Sequence, residues 1–153
     1  MKRNHQIATI GKLKKEFTFH LEVLPIVKDD GESGGWRGVF LARKQGNPNG
    51  KYLPGIFTRY KRVLCVYYSY DGTYKGECTT PLVWNTWINI DFKQEKQKTG
   101  NAYVITVTVN GKVLKTIVNN QAEEFENVTV HTSDGGYPAL VGDIRMVYYD
   151  KGI

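Results

Sequence analysis

Apolar residues fall on alternate positions over several stretches of the chain. Between Glu16 and Leu24, Phe17, Phe19, Leu21 and Val23 alternate with Thr18, His20 and Glu22, the period-two signature of a strand with one buried face. Ile88, Ile90 and Phe92 alternate with Trp87, Asn89 and Asp91, and Ile144, Met146 and Tyr148 repeat the pattern between Asp143 and Tyr149. These three strands are expected to line the main core. Further strands are predicted near 5–10, 36–43, 55–60, 62–70, 73–79, 101–109, 112–118 and 125–131, about eleven in all, and no segment carries the spacing of a long amphipathic helix.

The turn chemistry agrees with an antiparallel arrangement. Strands recur at spacings of roughly 8–12 residues with Gly, Asn and Asp between them, which predicts an all-β, two-sheet sandwich or jelly roll, not alternating β-α units. Asn110-Gly111 supplies the positive φ angles of a two-residue type I′ hairpin turn. Asp71-Gly72 is a second such signal, and a hairpin centred there sets Cys65 opposite Cys78. Alternation outward from the closing pair makes this a non-hydrogen-bonded position, where strands approach most closely and a cross-strand disulfide fits.

Composition narrows the class of protein. The 153 residues are 41% hydrophobic, enough for one domain spanning 1–153, with no internal repeat and no linker. Val, Ile and Thr are abundant and Ala is sparse, which suits a pleated surface better than a helix. The net charge of +6 is spread along the chain, and basic and aromatic residues are not arranged as any RNA-recognition or OB-fold motif, so no nucleic-acid partner is expected. No apolar run approaches the roughly 20 residues of a membrane span. The opening Met-Lys-Arg-Asn-His-Gln lacks a signal peptide's apolar run, so a secreted chain with this start is expected to have lost its signal. A Cys65–Cys78 disulfide places the protein in an oxidising compartment, secreted or extracellular, and Asn127-Val128-Thr129 is a glycosylation sequon at Asn127.

The segments Trp84–Ile90, Tyr103–Lys112, Phe125–Val130 and Gly142–Tyr149 follow one another in an order that resembles the laminin-G-like and concanavalin-A-like jelly rolls of extracellular proteins. There a tryptophan-led strand precedes a V-N-G-K hairpin and a closing G-x-I-R strand. The resemblance implies two antiparallel sheets with the first and last strands adjacent, and recognition of glycans or other extracellular proteins. Departures bear on catalysis. Asn89-Ile90-Asp91-Phe92-Lys93-Gln94-Glu95 lacks the first acid of the E-x-D-x-x-E cluster of retaining glucanases. The galectin patterns H-x-N-x-R and W-x-x-E-x-R are missing, and Gln6-Ile7 is followed by Ala8 where alginate-lyase-like chains carry histidine. No catalytic set is recovered, and no enzyme is expected.

Candidate binding residues follow from sugar chemistry. Sugar rings present C–H faces that stack on aromatic rings, while their hydroxyls need amide, carboxylate or arginine partners. The stretch 47–62 offers that mixture in Asn47, Asn49, Tyr52, Phe57, Arg59, Tyr60, Lys61 and Arg62, and the loop 132–140 adds Asp134 and Tyr137. Arg59, Lys61 and Arg62, with Lys12, Lys14 and Lys15, are candidates for a sulfated or carboxylated polysaccharide. A second group, His20, Glu22, Asn89 and Asp91, lies on the polar faces of confident strands and is a candidate concave-face site, with Glu22 as the carboxylate beside His20. None of His5, His20 and His131 sits at metal-ligand spacing. No cofactor is expected; the acidic loop Asp29, Asp30 and Glu32 is the place for a calcium ion if one binds.

Overall fold

The computed structural model describes residues 5–26, 35–44, 52–59, 62–70, 73–132 and 142–150. These residues form eleven strands and no α-helix: β1 (Gln6–Leu13), β2 (Phe17–Pro25), β3 (Arg37–Lys44), β4 (Gly55–Arg59), β5 (Val63–Tyr70), β6 (Thr73–Cys78), β7 (Ile88–Lys96), β8 (Tyr103–Val109), β9 (Lys112–Asn119), β10 (Phe125–His131) and β11 (Gly142–Asp150). A six-stranded sheet runs β1-β10-β3-β4-β5-β6 and a five-stranded sheet runs β11-β2-β7-β8-β9. Every pairing is antiparallel, so the predicted two-sheet all-β architecture holds. The first and last strands are not neighbours, however. Strand β11 pairs along the whole of β2, from Gly142↔Pro25 to Asp150↔Phe17, while β1 is paired with β10 in the other sheet.

Alternation decides which side chains fill the space between the sheets. From the five-stranded sheet come Phe19, Leu21, Val23, Ile88, Ile90, Phe92, Ile105 and Val107; from the six-stranded sheet come Phe40, Ile56, Leu64, Val66, Tyr68, Val128 and Val130. Phe19 meets Phe40 at 5.1 Å and Tyr68 meets Phe92 at 5.8 Å between ring centroids, so aromatic contacts cross the sandwich. One end of the core is closed by amides: Asn119 Nδ2 donates to Gln94 Oε1 (2.9 Å), and Gln94 Nε2 donates to the Lys15 carbonyl (2.7 Å). A buried amide without partners would be costly; this pair ties the β1–β2 turn to β7 and β9.

Both predicted hairpin registers are present. Asn110 (φ 49°) and Gly111 (φ 77°) form the turn between the closing pair Val109↔Lys112, and Asn110 Oδ1 accepts from the Asn89 backbone N–H at 2.9 Å. Asp71 and Gly72 lie outside the described residues, but β5 and β6 pair with Tyr70↔Thr73 and Cys65↔Cys78. The two sulfurs are bonded at 1.99 Å with a Cα separation of 4.0 Å. Glu77, in register with Val66, faces inward from the edge strand β6 and receives Lys115 of the edge strand β9 at 2.9 Å. That hydrogen bond, and secondarily the carboxylate's charge, hold the Lys115 ammonium above its usual pKa.

Two outcomes are expected. The disulfide closes a loop with a sequence separation of 13, so the Cys65→Ala/Cys78→Ala double variant should lose about 3 kcal/mol in urea unfolding. Burial, with smaller contributions from Glu77 and Tyr70, pushes the Tyr68 phenol from 10.0 up to about 12. The folded chain therefore keeps a proton that the unfolded chain has lost. This contribution to stability is complete below about pH 10 and declines as pH rises towards about 12. In Tyr68→Phe, stability measured across that window should decline less steeply.

Candidate functional site

Two surfaces of the sandwich carry the predicted binding residues, one on the outer face of each sheet. On the five-stranded sheet, Glu22 lies opposite Asn89 and His20 opposite Asp91, so the four candidates share one face as the alternation predicts. The carboxylate on His20 is Asp91, across the strand pair at 2.7 Å, and not Glu22. Glu22 instead faces Arg145 of β11 at 3.8 Å. Arg145 also lies 4.3 Å over the Trp87 ring, and Lys93 pairs with Glu95 at 2.8 Å. Glu22, Asp91, Lys93, Glu95 and Arg145 each have a partner on this face, so a ligand taking those groups would have to displace existing pairs.

The outer face of the six-stranded sheet differs. In β5, Leu64, Val66 and Tyr68 face the core, which turns Cys65, Tyr67 and Ser69 outward. Two rows then cross the sheet on that side: Leu41, Gly55, Tyr67 and Gly76 in one, and Gly38, Phe57, Cys65 and Cys78 in the next. The glycines make room for rings. A Cβ on Gly76 would stand 2.5 Å from Tyr67 Cε1, and one on Gly55 would stand 2.7 Å from the Tyr52 ring. Tyr52 is held there by backbone bonds on either side of its loop, Leu53 N–H to the Ala42 carbonyl (2.7 Å) and Ala42 N–H to the Pro54 carbonyl (2.9 Å).

These rings form one connected layer. Phe57, 3% exposed, is at its centre and meets Tyr52, Trp36 and Tyr67 at 5.3, 5.9 and 6.0 Å, in each case edge to face. Trp36 meets Tyr67 at 5.8 Å, and Tyr67 meets Tyr74 at 5.7 Å. Edge-to-face geometry is the arrangement that ring quadrupoles prefer. Trp36, Tyr52, Tyr67 and Tyr74 are half-buried, so the layer leaves ring surface accessible. Arg59 is exposed, and its guanidinium lies 5.2 Å over the Trp36 ring. Arg62, also exposed, follows in the β4–β5 turn with φ 61°.

Of the loop candidates, Tyr52, Phe57, Arg59 and Arg62 are thus brought to this end of the six-stranded sheet. Tyr60, Lys61, Tyr137, Asp134, Asn47 and Asn49 lie outside the described residues, as do Asp29, Asp30 and Glu32. Lys12 stands apart from the layer, bonded to Glu124 at 2.6 Å with Glu126 at 3.7 Å. Asn127 is exposed at φ 52° within β10, and Thr129 of its sequon is buried between β1 and β3. Among the described residues, no three His, Cys, Asp or Glu side chains are grouped as a metal site. Trp36, Tyr67 and Tyr74 belong to the layer but are not among the sequence candidates. The available signal was parity, since Tyr67 shares the outward side with Cys65.

No protein-family model and no curated protein sequence matches the chain. Among solved structures, it is similar to a heptameric SAP-like pentraxin from Limulus polyphemus (11% identity, 99% of this chain and 72% of that one, TM-score 0.62). It is also similar to the alginate lyase AlyC3 in complex with dimannuronate (12%, 96% and 67%, TM-score 0.58). A third similar structure is CBM40 of the Ruminococcus gnavus IT-sialidase bound to α2,3-sialyllactose (12%, 97% and 90%, TM-score 0.55). At these identities the likeness is one of fold alone, a jelly-roll sandwich of two antiparallel sheets.

The packing of Tyr67 on Gly76 is directly testable. Gly76→Ala places a methyl group where the ring lies, so the ring must move. The expected result is a loss of about 1–3 kcal/mol and a changed near-ultraviolet circular dichroism spectrum. An unchanged spectrum would show that the ring layer is not fixed by that glycine.

Proposed function

We propose that the protein is a non-catalytic extracellular module that binds carbohydrate on the outer face of its six-stranded sheet. The observation that carries this reading is the half-exposed layer of Trp36, Tyr52, Tyr67 and Tyr74 around Phe57, with Arg59 lying over Trp36. Rings of this kind offer flat apolar surface to the C–H faces of a sugar, and guanidinium N–H groups donate to its oxygens. Two of the similar structures are complexes with sugars, dimannuronate and sialyllactose, which supports the same class of ligand here. The Cys65–Cys78 bond supports an extracellular setting, because such bonds persist in oxidising compartments.

Catalysis is left out of the reading because the sequence lacks the acid cluster of glucanases and the histidine segment of alginate lyases, and the His20–Asp91 pair belongs to the other face. Calcium has no part in it either, since rings and arginine supply the contacts. A second reading, adhesion to a protein partner, is favoured by one observation: Val113 and Val118 on the edge strand β9 are 62% and 46% exposed.

A glycan array followed by calorimetry tests the proposal. Trp36→Ala and Tyr74→Ala should each weaken binding of the best glycan by about tenfold or more, equivalent to about 1.4 kcal/mol, with melting temperature monitored alongside. The bound oligosaccharide should be recovered uncut. Full affinity in both variants would reject this face, and no array signal together with concentration-dependent self-association would favour adhesion.

A further inference from the structure

Acidic side chains among the described residues are segregated away from the aromatic layer. Among the described residues, Glu22, Asp91, Glu95 and Asp143 belong to the strands of the five-stranded sheet. Glu124 and Glu126 are engaged by Lys12 on the β1–β10 side, Glu16 accepts from the Lys96 backbone N–H at 3.2 Å, and Glu77 faces inward to Lys115. No described outward position of β3, β4, β5 or β6 carries a carboxylate. Arg59 therefore lies over Trp36, and Arg62 follows in the β4–β5 turn, with no described carboxylate paired to either, on a chain of net charge +6.

The position of Arg59 over the Trp36 ring adds geometry to this charge. A guanidinium carries its five N–H donors in its own plane. Contact with the indole face restricts where the fork can go, while no described carboxylate occupies its donors. A carboxylate or sulfate accepts from such a fork through two parallel bonds, and charge-assisted bonds are roughly twice as strong as neutral ones. A neutral sugar hydroxyl can engage only part of it.

We propose that the glycan taken by this face is anionic, a carboxylated or sulfated sugar whose acid group is read by Arg59 from its perch on Trp36, with Arg62 adding charge at the rim. This rests on the carbohydrate reading above and specifies its ligand class. The sugar ring meets the tyrosine faces and the acid group meets the guanidinium, so affinity needs both, whereas a general attraction of polyanions to a basic protein needs neither.

Calorimetry with an oligouronate, its carboxyl-reduced neutral counterpart, a sulfated oligosaccharide and a size-matched neutral glucan separates the outcomes. One or both acidic sugars should bind at least about tenfold more tightly than the two neutral sugars. Arg59→Ala, at an exposed position, should remove about tenfold for the acidic sugar at unchanged melting temperature, and Arg59→Lys should restore only part of it. Lys98→Ala, an exposed charge in the β7–β8 turn, should change nothing. Equal affinity for the acidic and neutral sugars, sensitive to Trp36→Ala, would overturn the ligand class while leaving the carbohydrate reading standing. Acidic binding that Arg59→Ala does not reduce, or that Lys98→Ala reduces equally, would overturn the site. No binding of any of the four, with an empty glycan array, would reject both readings.

Discussion

The requirement that every strand bury alternate side chains in a single space between two sheets governs the rest of the molecule. Phe19, Phe40, Tyr68 and Phe92 reach across that space, and each residue committed inward obliges its neighbour to face out. The surface is therefore a by-product of the core. Once Leu64, Val66 and Tyr68 are fixed as core residues, Cys65 and Tyr67 have only one side to occupy, and the antiparallel register brings Phe57, Gly76 and Cys78 beside them.

The two outer faces diverge from this common constraint. On the five-stranded sheet several outward positions are charged or polar and pair with one another through His20–Asp91, Lys93–Glu95 and the approach of Arg145 to Glu22. On the six-stranded sheet several outward positions are themselves buried: Leu41 and Cys65 at 0% and Phe57 at 3% exposure. A second, thinner apolar layer lies there, assembled from rings packed on one another, two of which also rest on glycines. Removing side chains at Gly55 and Gly76 lets Tyr52 and Tyr67 cover the sheet, a means of keeping aromatic surface near solvent without surrendering its packing.

Much of the architecture was legible because period two is a local signal. The strands fall near their expected places, and the Asn110-Gly111 turn and the Cys65↔Cys78 register follow from turn chemistry alone. Strand β7 runs beyond Phe92 to Lys96; its inward position there is Gln94, an amide that hides the apolar period while being paired inside. His20 shows a different limit. Glu22 is its neighbour in sequence, but residues two apart on a strand are separated by about 6.6 Å along it, whereas the directly opposed position lies about 4.5–5.5 Å away. Asp91 occupies that position. The ring layer was only half legible: Tyr52, Phe57, Arg59 and Arg62 stood together in sequence, but Trp36 and Tyr74 join them through strands whose lateral order no local pattern specifies.

The inward-facing Glu77 on β6 bears on how such a domain keeps company with its own kind. A strand added along that margin would bring hydrophobic side chains up to a carboxylate already occupied by Lys115 of the opposite sheet, and such a position disfavours continuation of the pleat. Copies that meet along that margin can then lie side by side without knitting into a continuous ribbon.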